Sequence, residues 1–148
     1  MPATGGKAGM MIDSPESMLN AGRAFGATLQ GGELVTLSGG LGAGKTLFCK
    51  GVIEGLGYLG DVPSPTFNIM NHYAPPDTRL PVVHADLYRL NSPDELEELG
   101  MLDSDDADTV SLIEWPEQGG KAFAYARFRI SIALVDEHSR QLTIEETV

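Results

Sequence analysis

Apolar residues recur at intervals of three and four in two stretches of the chain, as they do on one face of a helix. In the first stretch these residues are Met18, Ala21, Phe25 and Leu29. Ser14, Pro15 and Glu16 supply a capping side chain, a first-turn proline and a first-turn acid, so we predict a helix over about 15–29. In the second stretch the apolar residues are Phe48, Val52 and Leu56. They predict a helix from Lys45 to the glycines at 55 and 57.

Shorter apolar or alternating runs predict strands around and after these helices. The predicted strands cover 34–37, 67–73, 80–88, 110–114, 128–134 and a last strand through 142 and 144. The turn sequence DEHSR joins the last two into a C-terminal β-hairpin, and a short acidic helix is predicted from Ser92 to Gly100. Because strands and helices mix along the chain, the predicted fold class is α/β, with a mixed central sheet flanked by helices.

Length and composition predict one globular domain. The chain has 148 residues, of which 42% are hydrophobic, and we expect the domain over 12–148 after a disordered Gly/Ala-rich tail at 1–11. A net charge of −11 argues against a broad basic surface that binds nucleic acid directly. The lone Cys49 excludes an internal disulfide framework, and no run resembles a signal peptide or a membrane span, so a cytoplasmic protein is expected.

A glycine-rich stretch, SGGLGAGKTLF at 38–48, lies between the first predicted strand and the second predicted helix. Gly39, Gly44, Lys45 and Thr46 match the phosphate-binding pattern G-x-x-x-x-G-K-[ST] in full. Glycines let backbone N–H groups turn inward around phosphates, and the following helix N-terminus adds its positive dipole end. Lys45 can pair with the β and γ phosphates, and the Thr46 hydroxyl can ligate Mg²⁺. We therefore predict a P-loop within a P-loop NTPase-like three-layer sandwich.

Two carboxylates are candidates for the second metal ligand that a P-loop needs at the end of a neighbouring strand. Asp86 ends the run VVHAD and Glu114 ends SLIE, and the residues alone leave open which of them contacts the metal. Thr66 follows a rigid Ser-Pro segment and is either a switch threonine or a plain strand residue. Trp115 is expected in the core or at its edge.

The histidines and the cysteine show no spacing that favours a chemical role. His72, His84 and His138 lack the spacing of a zinc site, so we expect them in structural or surface positions. His84 nevertheless shares a predicted strand face with Asp86, because side chains alternate along a strand. Cys49 is expected to be a small buried hydrophobe.

Three uses of a P-loop compete at this point. A GTPase would carry an Asn-Lys-x-Asp motif that reads guanine, and the chain has none. A kinase for a small metabolite usually carries an arginine-bearing lid over the phosphates, but the six arginines are scattered along the chain. What remains is an ATPase that drives a conformational change in another molecule, or a non-hydrolysing nucleotide-gated binding module. A small-metabolite kinase stays as a further alternative.

Several strings in series resemble the TsaE family, the small P-loop ATPases of bacterial tRNA threonylcarbamoyladenosine synthesis. The strings are GGLGAGKT, SPTF, HADLYRL, a Pro-x-Glu-Leu helix start and LIEWPEQ, and the resemblance covers roughly 12–145. It implies binding of ATP and Mg²⁺ and weak ATP hydrolysis by the protein alone. It also implies action with TsaD and TsaB, the first of which carries the transfer chemistry, with tRNA reached only indirectly.

The resemblance further implies roles for individual residues. The residues at the phosphates would be Gly39, Leu41, Gly42, Ala43, Gly44, Lys45 and Thr46. Thr46 with Glu114 would hold Mg²⁺, and Asp86 would act at the metal or on the attacking water. Thr66 would be the switch threonine, and Trp115 would pack beside the site.

For the adenine base and for two positions in or next to the glycine-rich stretch, the resemblance implies less. Adenine would lie near Ser14 and Pro15, and Glu117 would contact the nucleotide. The family usually has Asp at the position of Gly40 and a second Thr at the position of Leu47, which puts the tuning of hydrolysis in doubt rather than nucleotide binding. The segment 91–109 holds eight acids and no basic residue; it is either a solvated face or a docking surface for a protein partner.

Overall fold

One mixed sheet forms the centre of the computed structural model, which describes residues 6–40, 42–63, 65, 69–98 and 107–147, without the side chains of 97 and 98. Its strands are β1 (Gly6–Ile12), β2 (Leu34–Ser38), β3 (Met70–Tyr73), β4 (Val82–Asp86), β5 (Val110–Glu114), β6 (Phe128–Leu134) and β7 (Arg140–Glu146). Their order across the sheet is β1-β7-β6-β2-β5-β4-β3. β2 runs parallel to β5 and β6, and β4 runs parallel to β5. The carboxyl ends of β2, β4 and β5 therefore meet at one edge.

Helical segments and apolar side chains lie on both faces of this sheet. The helices are α1 (Pro15–Thr28), α2 (Lys45–Gly55) and α3 (Glu95–Glu98), with a 3₁₀ turn at Pro116–Gly119. Side chains alternate along β5, so Leu112 joins the larger core cluster beneath α1 and α2, whereas Ile113 joins a second cluster with Leu96 and Phe123. The α/β prediction, including the mixed sheet and the C-terminal hairpin of β6 and β7, is confirmed.

The predicted helices agree well with the structure where neighbouring residues mark their ends. The first helix, predicted over 15–29, occupies Pro15–Thr28, with Ser14 capping Ser17 N. The acidic helix predicted from Ser92 to Gly100 is seen as Glu95–Glu98, and 99–106 lie outside the described residues. None of the helices in the described part of the chain combines the length and apolar content that a bilayer crossing requires.

The prediction of a disordered tail at 1–11 was wrong for residues 6–11. Gly6–Ile12 forms an edge strand that pairs antiparallel with β7 along its whole length. Residues Gly6–Met11 are exposed, and only Ile12 of this strand is buried, so this segment has no buried face that a periodicity could reveal. Its order comes from the backbone hydrogen bonds that β7 offers at the margin of the sheet.

Glycines allow α1 and α2 to cross at close range. A Cβ atom at Gly22 would lie 2.3 Å from the Phe48 carbonyl oxygen, and one at Gly26 would lie 2.3 Å from that of Val52. The reverse contacts are equally tight, since a Cβ at Gly51 would lie 2.4 Å from the Leu19 carbonyl oxygen. Backbone therefore touches backbone at the crossing, and α2, which opens at the glycine-rich loop, is held firmly against α1.

We expect Gly26→Ala to destabilise the protein by about 1–3 kcal/mol, because the added methyl must push the two helices apart. A loss of stability would be diagnostic of the close crossing, because a Gly→Ala change in an uncrowded helix stabilises the protein by roughly 0.5–1 kcal/mol. The free energy of unfolding in urea measures the effect. Gly6→Ala is the matched control, because no atom lies within 4 Å of the added Cβ. Equal stability of the two variants would contradict the close crossing.

Candidate nucleotide-binding site

The glycine-rich loop turns tightly between β2 and α2. Gly39, Gly42 and Gly44 have φ angles of 155°, 74° and 114°, which side chains with a Cβ rarely adopt. A Cβ at Gly39 would also lie 2.5 Å from the carbonyl oxygen of Ile132. Gly44 is the N-cap of α2 and brings no capping side chain, so the helix opens with N–H groups directed toward the loop. Leu41 lies outside the described residues.

Lys45, the first residue of α2, lies folded over the loop. Its side chain is 5% exposed, and Nζ donates hydrogen bonds to the carbonyl oxygens of Gly39 (2.7 Å) and Gly40 (2.9 Å). Nζ also lies 4.1 Å from the centroid of the Trp115 ring, a cation–π contact. Burial lowers the pKa of Lys45, while the carboxylates of Glu114 and Asp86 oppose that shift. The ammonium thus makes no direct salt bridge to a carboxylate of the described residues.

The two predicted carboxylates lie side by side at the carboxyl ends of β4 and β5. Asp86 and Glu114 are register partners. Glu114 is 2% exposed, and its Oε1 accepts a hydrogen bond of 2.9 Å from Thr46 Oγ1. Asp86 is half-buried, and its Oδ1 accepts a hydrogen bond of 3.0 Å from the Tyr88 N–H. Burial, with the nearby Glu114 charge, raises the pKa of Asp86, although the Tyr88 N–H favours the ionised form.

These groups converge on one cavity of about 310 Å³. Its lining residues are Gly42, Ala43, Gly44, Lys45, Thr46, Leu47, Asp86, Glu114 and Trp115. A hydroxyl and two carboxylates are hard oxygen donors, the set that Mg²⁺ prefers. The ammonium and the N-terminus of α2 are suited to phosphate oxygens. The donor set therefore fits a magnesium–phosphate ligand.

A second cavity, of about 340 Å³, is also lined by Gly42–Gly44. Apolar side chains line it as well, those of Ile12, Pro15, Met18 and Leu47. The β6–β7 turn adds Glu137 and His138, and the start of β7 adds Arg140; sequence reasoning missed these three residues. The turn lies about 90 positions after the P-loop, and no local pattern marks it. Pro15 thus lies next to the loop, where the expected adenine position would be.

Three further predicted site residues are not seen in the first cavity. Thr66 and Leu41 fall outside the described residues, and Glu117 lies in a different groove. Glu117 is exposed on the 3₁₀ turn and lines a separate groove with Ser38 and Arg129. Its charge nevertheless acts on Lys45, whose pKa it raises against the effect of burial. A contact between Glu117 and a nucleotide stays a prediction.

Trp115 adopts a conformation that is unusual for its residue type. Its φ and ψ are 59° and 52°, in the left-handed region that a bulky residue rarely enters. The ring contacts Tyr88, with centroids 4.9 Å apart, as well as Lys45. This backbone turn directs the chain away from β5 immediately after Glu114, and it leaves the indole against the Lys45 ammonium.

His84 takes the structural one of its two expected positions. It is completely buried, and its Nε2 lies 2.6 Å from Glu114 Oε2. Sequence reasoning did not identify this contact with a carboxylate of the site. The one available signal was strand alternation, which places His84 on the same face as Asp86. Cys49 is buried, as expected.

Comparison with known proteins shows which family this chain resembles. The family model for the threonylcarbamoyl adenosine biosynthesis protein TsaE matches residues 12–142. The chain is 36% identical to the tRNA threonylcarbamoyladenosine biosynthesis protein TsaE of Rickettsia bellii, over 90% of this chain and 92% of that one. The corresponding protein of Streptomyces coelicolor is 42% identical over 78% of each chain.

A solved structure supports the same assignment. The crystal structure of Bacillus subtilis YdiB aligns with a TM-score of 0.74 at 28% identity, covering 99% of this chain and 90% of that one. The region that the family model matches includes the P-loop and both strand-end carboxylates. This chain belongs to the TsaE family of tRNA threonylcarbamoyladenosine biosynthesis proteins.

Proposed function

We propose that this protein is an ATPase that binds ATP with Mg²⁺, hydrolyses it weakly alone, and serves tRNA threonylcarbamoyladenosine modification by acting on a TsaD–TsaB complex. The observation that carries the proposal is the convergence of Lys45, Thr46, Asp86 and Glu114 on one cavity at the N-terminus of α2. In this proposal the protein does not transfer the threonylcarbamoyl group. Its hydrolysis cycle resets the partner complex between turnovers.

The proposed roles follow from where the side chains already lie. The Lys45 ammonium leaves the Gly39 and Gly40 carbonyls, 2.7 and 2.9 Å away, and pairs with the β and γ phosphates. The N–H groups that open α2 bind phosphate oxygens. Thr46 and Glu114 would hold Mg²⁺, whose charge offsets that of the phosphates when it is bound. Asp86 would act at the same metal or orient the attacking water.

The base is assigned to the second cavity. Pro15, Met18 and Leu47 give this cavity an apolar lining next to Gly42–Gly44. Contact between a purine ring and such a lining stabilises the bound nucleotide. Leu47, one of the two departures from the family pattern, lines both cavities. An apolar side chain there suits contact with the nucleoside better than contact with the phosphates.

The acidic character of the chain supports action through protein partners. A protein that grips tRNA by itself is expected to present a basic face, whereas this chain carries a net charge of −11. We therefore assign tRNA contact to the partner complex. The proposed cellular location is the cytoplasm, where tRNA and its modifying enzymes are found.

Reconstitution tests the proposed function. Unmodified tRNA, threonine, bicarbonate and ATP, with an enzyme that converts the last three into an activated threonylcarbamoyl donor, are incubated with TsaD and TsaB. The incubation is run with and without this protein, and modified nucleoside is counted per complex. We expect many turnovers only when this protein is present. Label from the γ-phosphate on a small acceptor without partners would instead indicate a kinase. Modification that needs nucleotide without any hydrolysis would indicate a nucleotide-gated binding module.

A further inference from the structure

A buried histidine contacts the carboxylate that the P-loop threonine also contacts. His84 lies on β4, two positions before Asp86, and its side chain is 0% exposed. Its Nε2 is 2.6 Å from Oε2 of Glu114, which is 2% exposed. Removing two polar groups from water destabilises a fold unless they satisfy each other. The pair lies toward the carboxyl ends of β4 and β5, and its Glu114 lines the cavity of the candidate nucleotide-binding site.

Glu114 is held at both of its oxygens. Oε1 accepts a hydrogen bond from Thr46 Oγ1 at 2.9 Å, and Oε2 faces His84 Nε2. Rotation of the carboxylate about its last bond would break both contacts at once. The contact with His84 therefore helps to fix the plane of the carboxylate, with one oxygen facing the P-loop. Without it, Oε2 would be a buried acceptor with no partner among the described residues.

The position of the imidazole proton follows from the other ring nitrogen. His84 Nδ1 is buried and has no hydrogen-bond partner in the described part of the chain. A buried N–H group without a partner is rarer than an unsatisfied acceptor. The geometry therefore places the proton on Nε2, which donates to Glu114, and leaves Nδ1 unprotonated.

A metal ion between His84, Glu114 and Cys49 is a poorer interpretation of the same cluster. Their ligand atoms lie within 4.8 Å of one another. Burial raises the pKa of Cys49 well above its usual range, so the sulfur keeps its proton, whereas metals bind the thiolate. The short His84–Glu114 distance is also that of a direct hydrogen bond.

We propose that His84 is a positioning residue, which orients the Glu114 carboxylate so that Oε1 faces Thr46 and the magnesium position. The proposal rests on the proposed ATPase function, because it assigns to His84 a part in forming that site. It differs from a purely structural role, since a core histidine would need only to fill space. A side chain that keeps a donor at the same place should then keep the function.

Two substitutions separate these roles. His84→Leu fills similar space without a donor, whereas the side-chain amide of His84→Gln can donate to Glu114. With partners present, we expect His84→Leu to lower kcat for ATP hydrolysis by about 10–100-fold, the usual effect of losing a group that orients a metal ligand. KM should change much less, and His84→Gln should retain most of the rate. His72→Leu is the control, because His72 is exposed on the neighbouring strand β3.

A binding measurement separates this proposal from the proposed function. Fluorescent ADP is titrated with and without Mg²⁺, and we expect the gain in affinity from Mg²⁺ to shrink in His84→Leu and persist in His84→Gln. If the wild type with its partners shows no hydrolysis, the ATPase proposal fails, and this titration alone then decides the role of His84. Wild-type kcat and Mg²⁺ response in a folded His84→Leu variant would overturn the positioning role. If His84→Leu does not fold, a folded His84→Gln variant decides: retained kcat supports the donor, and a loss of about 10-fold or more refutes it.

Discussion

Lys45→Ala should abolish productive use of Mg-ATP, with ATP affinity or turnover reduced by about 100-fold or more, since a charge-assisted contact to the phosphates is lost. The loop should survive the change. The Lys45 ammonium bonds only to the Gly39 and Gly40 carbonyls and to the Trp115 ring among the described residues, so no buried carboxylate is left without a salt-bridge partner. The loss would therefore come from the missing charge rather than from unfolding.

Calorimetric titration with ATP and a phosphate-release assay with partners measure this effect. Lys50→Ala is the matched control, because Lys50 lies on the same helix and does not line the cavity. We expect that variant to bind and turn over ATP as the wild type does. Normal ATP affinity and turnover in Lys45→Ala would show that the phosphates bind somewhere else.

Glu114→Gln should reduce ATP hydrolysis by about 100–1000-fold, a loss typical of removing one group that stabilises the transition state. Binding of nucleotide should weaken far less, because the phosphate contacts come from Lys45 and the start of α2. The structure adds a second effect. Both Glu114 oxygens face neighbouring polar atoms, Thr46 Oγ1 and His84 Nε2. A glutamine NH₂ turned toward His84 would meet the Nε2 donor, and one turned toward Thr46 would force the hydroxyl to accept a hydrogen bond instead of donating one.

Asp86→Asn is the informative comparison for Glu114→Gln. Asp86 accepts only one described hydrogen bond, from the Tyr88 N–H, and is half-buried. An asparagine oxygen can keep that bond, so we expect the Asp86 variant to retain wild-type stability toward urea while hydrolysis still falls. The Glu114 variant should lose both stability and hydrolysis. A variant that loses nucleotide binding alone would place its residue at the nucleotide rather than at the metal or the water.

The residues in both predictions occupy positions that local sequence patterns identify. The P-loop spacing places Lys45 and Thr46 at the start of a helix, because the motif joins a strand, a glycine turn and a helix N-terminus within a few residues. The apolar runs before Asp86 and Glu114 place both at strand ends for the same local reason. The register that sets these two side by side is a property of the paired strands.

Other features of the site depend on residues far apart in the chain. The β6–β7 turn contributes Glu137 and His138, and the start of β7 contributes Arg140, to the cavity beside Pro15; no spacing in the sequence connects the two regions. The edge strand β1 escaped prediction because its order depends on hydrogen bonds to β7. The glycine contacts between α1 and α2 are likewise visible only when the helices cross.

Periodicity and the glycine pattern were thus sufficient for the main helices, the central strands, the α/β class and the glycine-rich turn before α2, since each depends on neighbours within a few residues. Only the folded chain shows that Glu114 is held from both sides, by Thr46 from α2 and by His84 from β4. Those contacts join residues 68 and 30 positions apart. Their energy depends on burial and orientation, which exist only after the sheet has formed and α2 has packed against it.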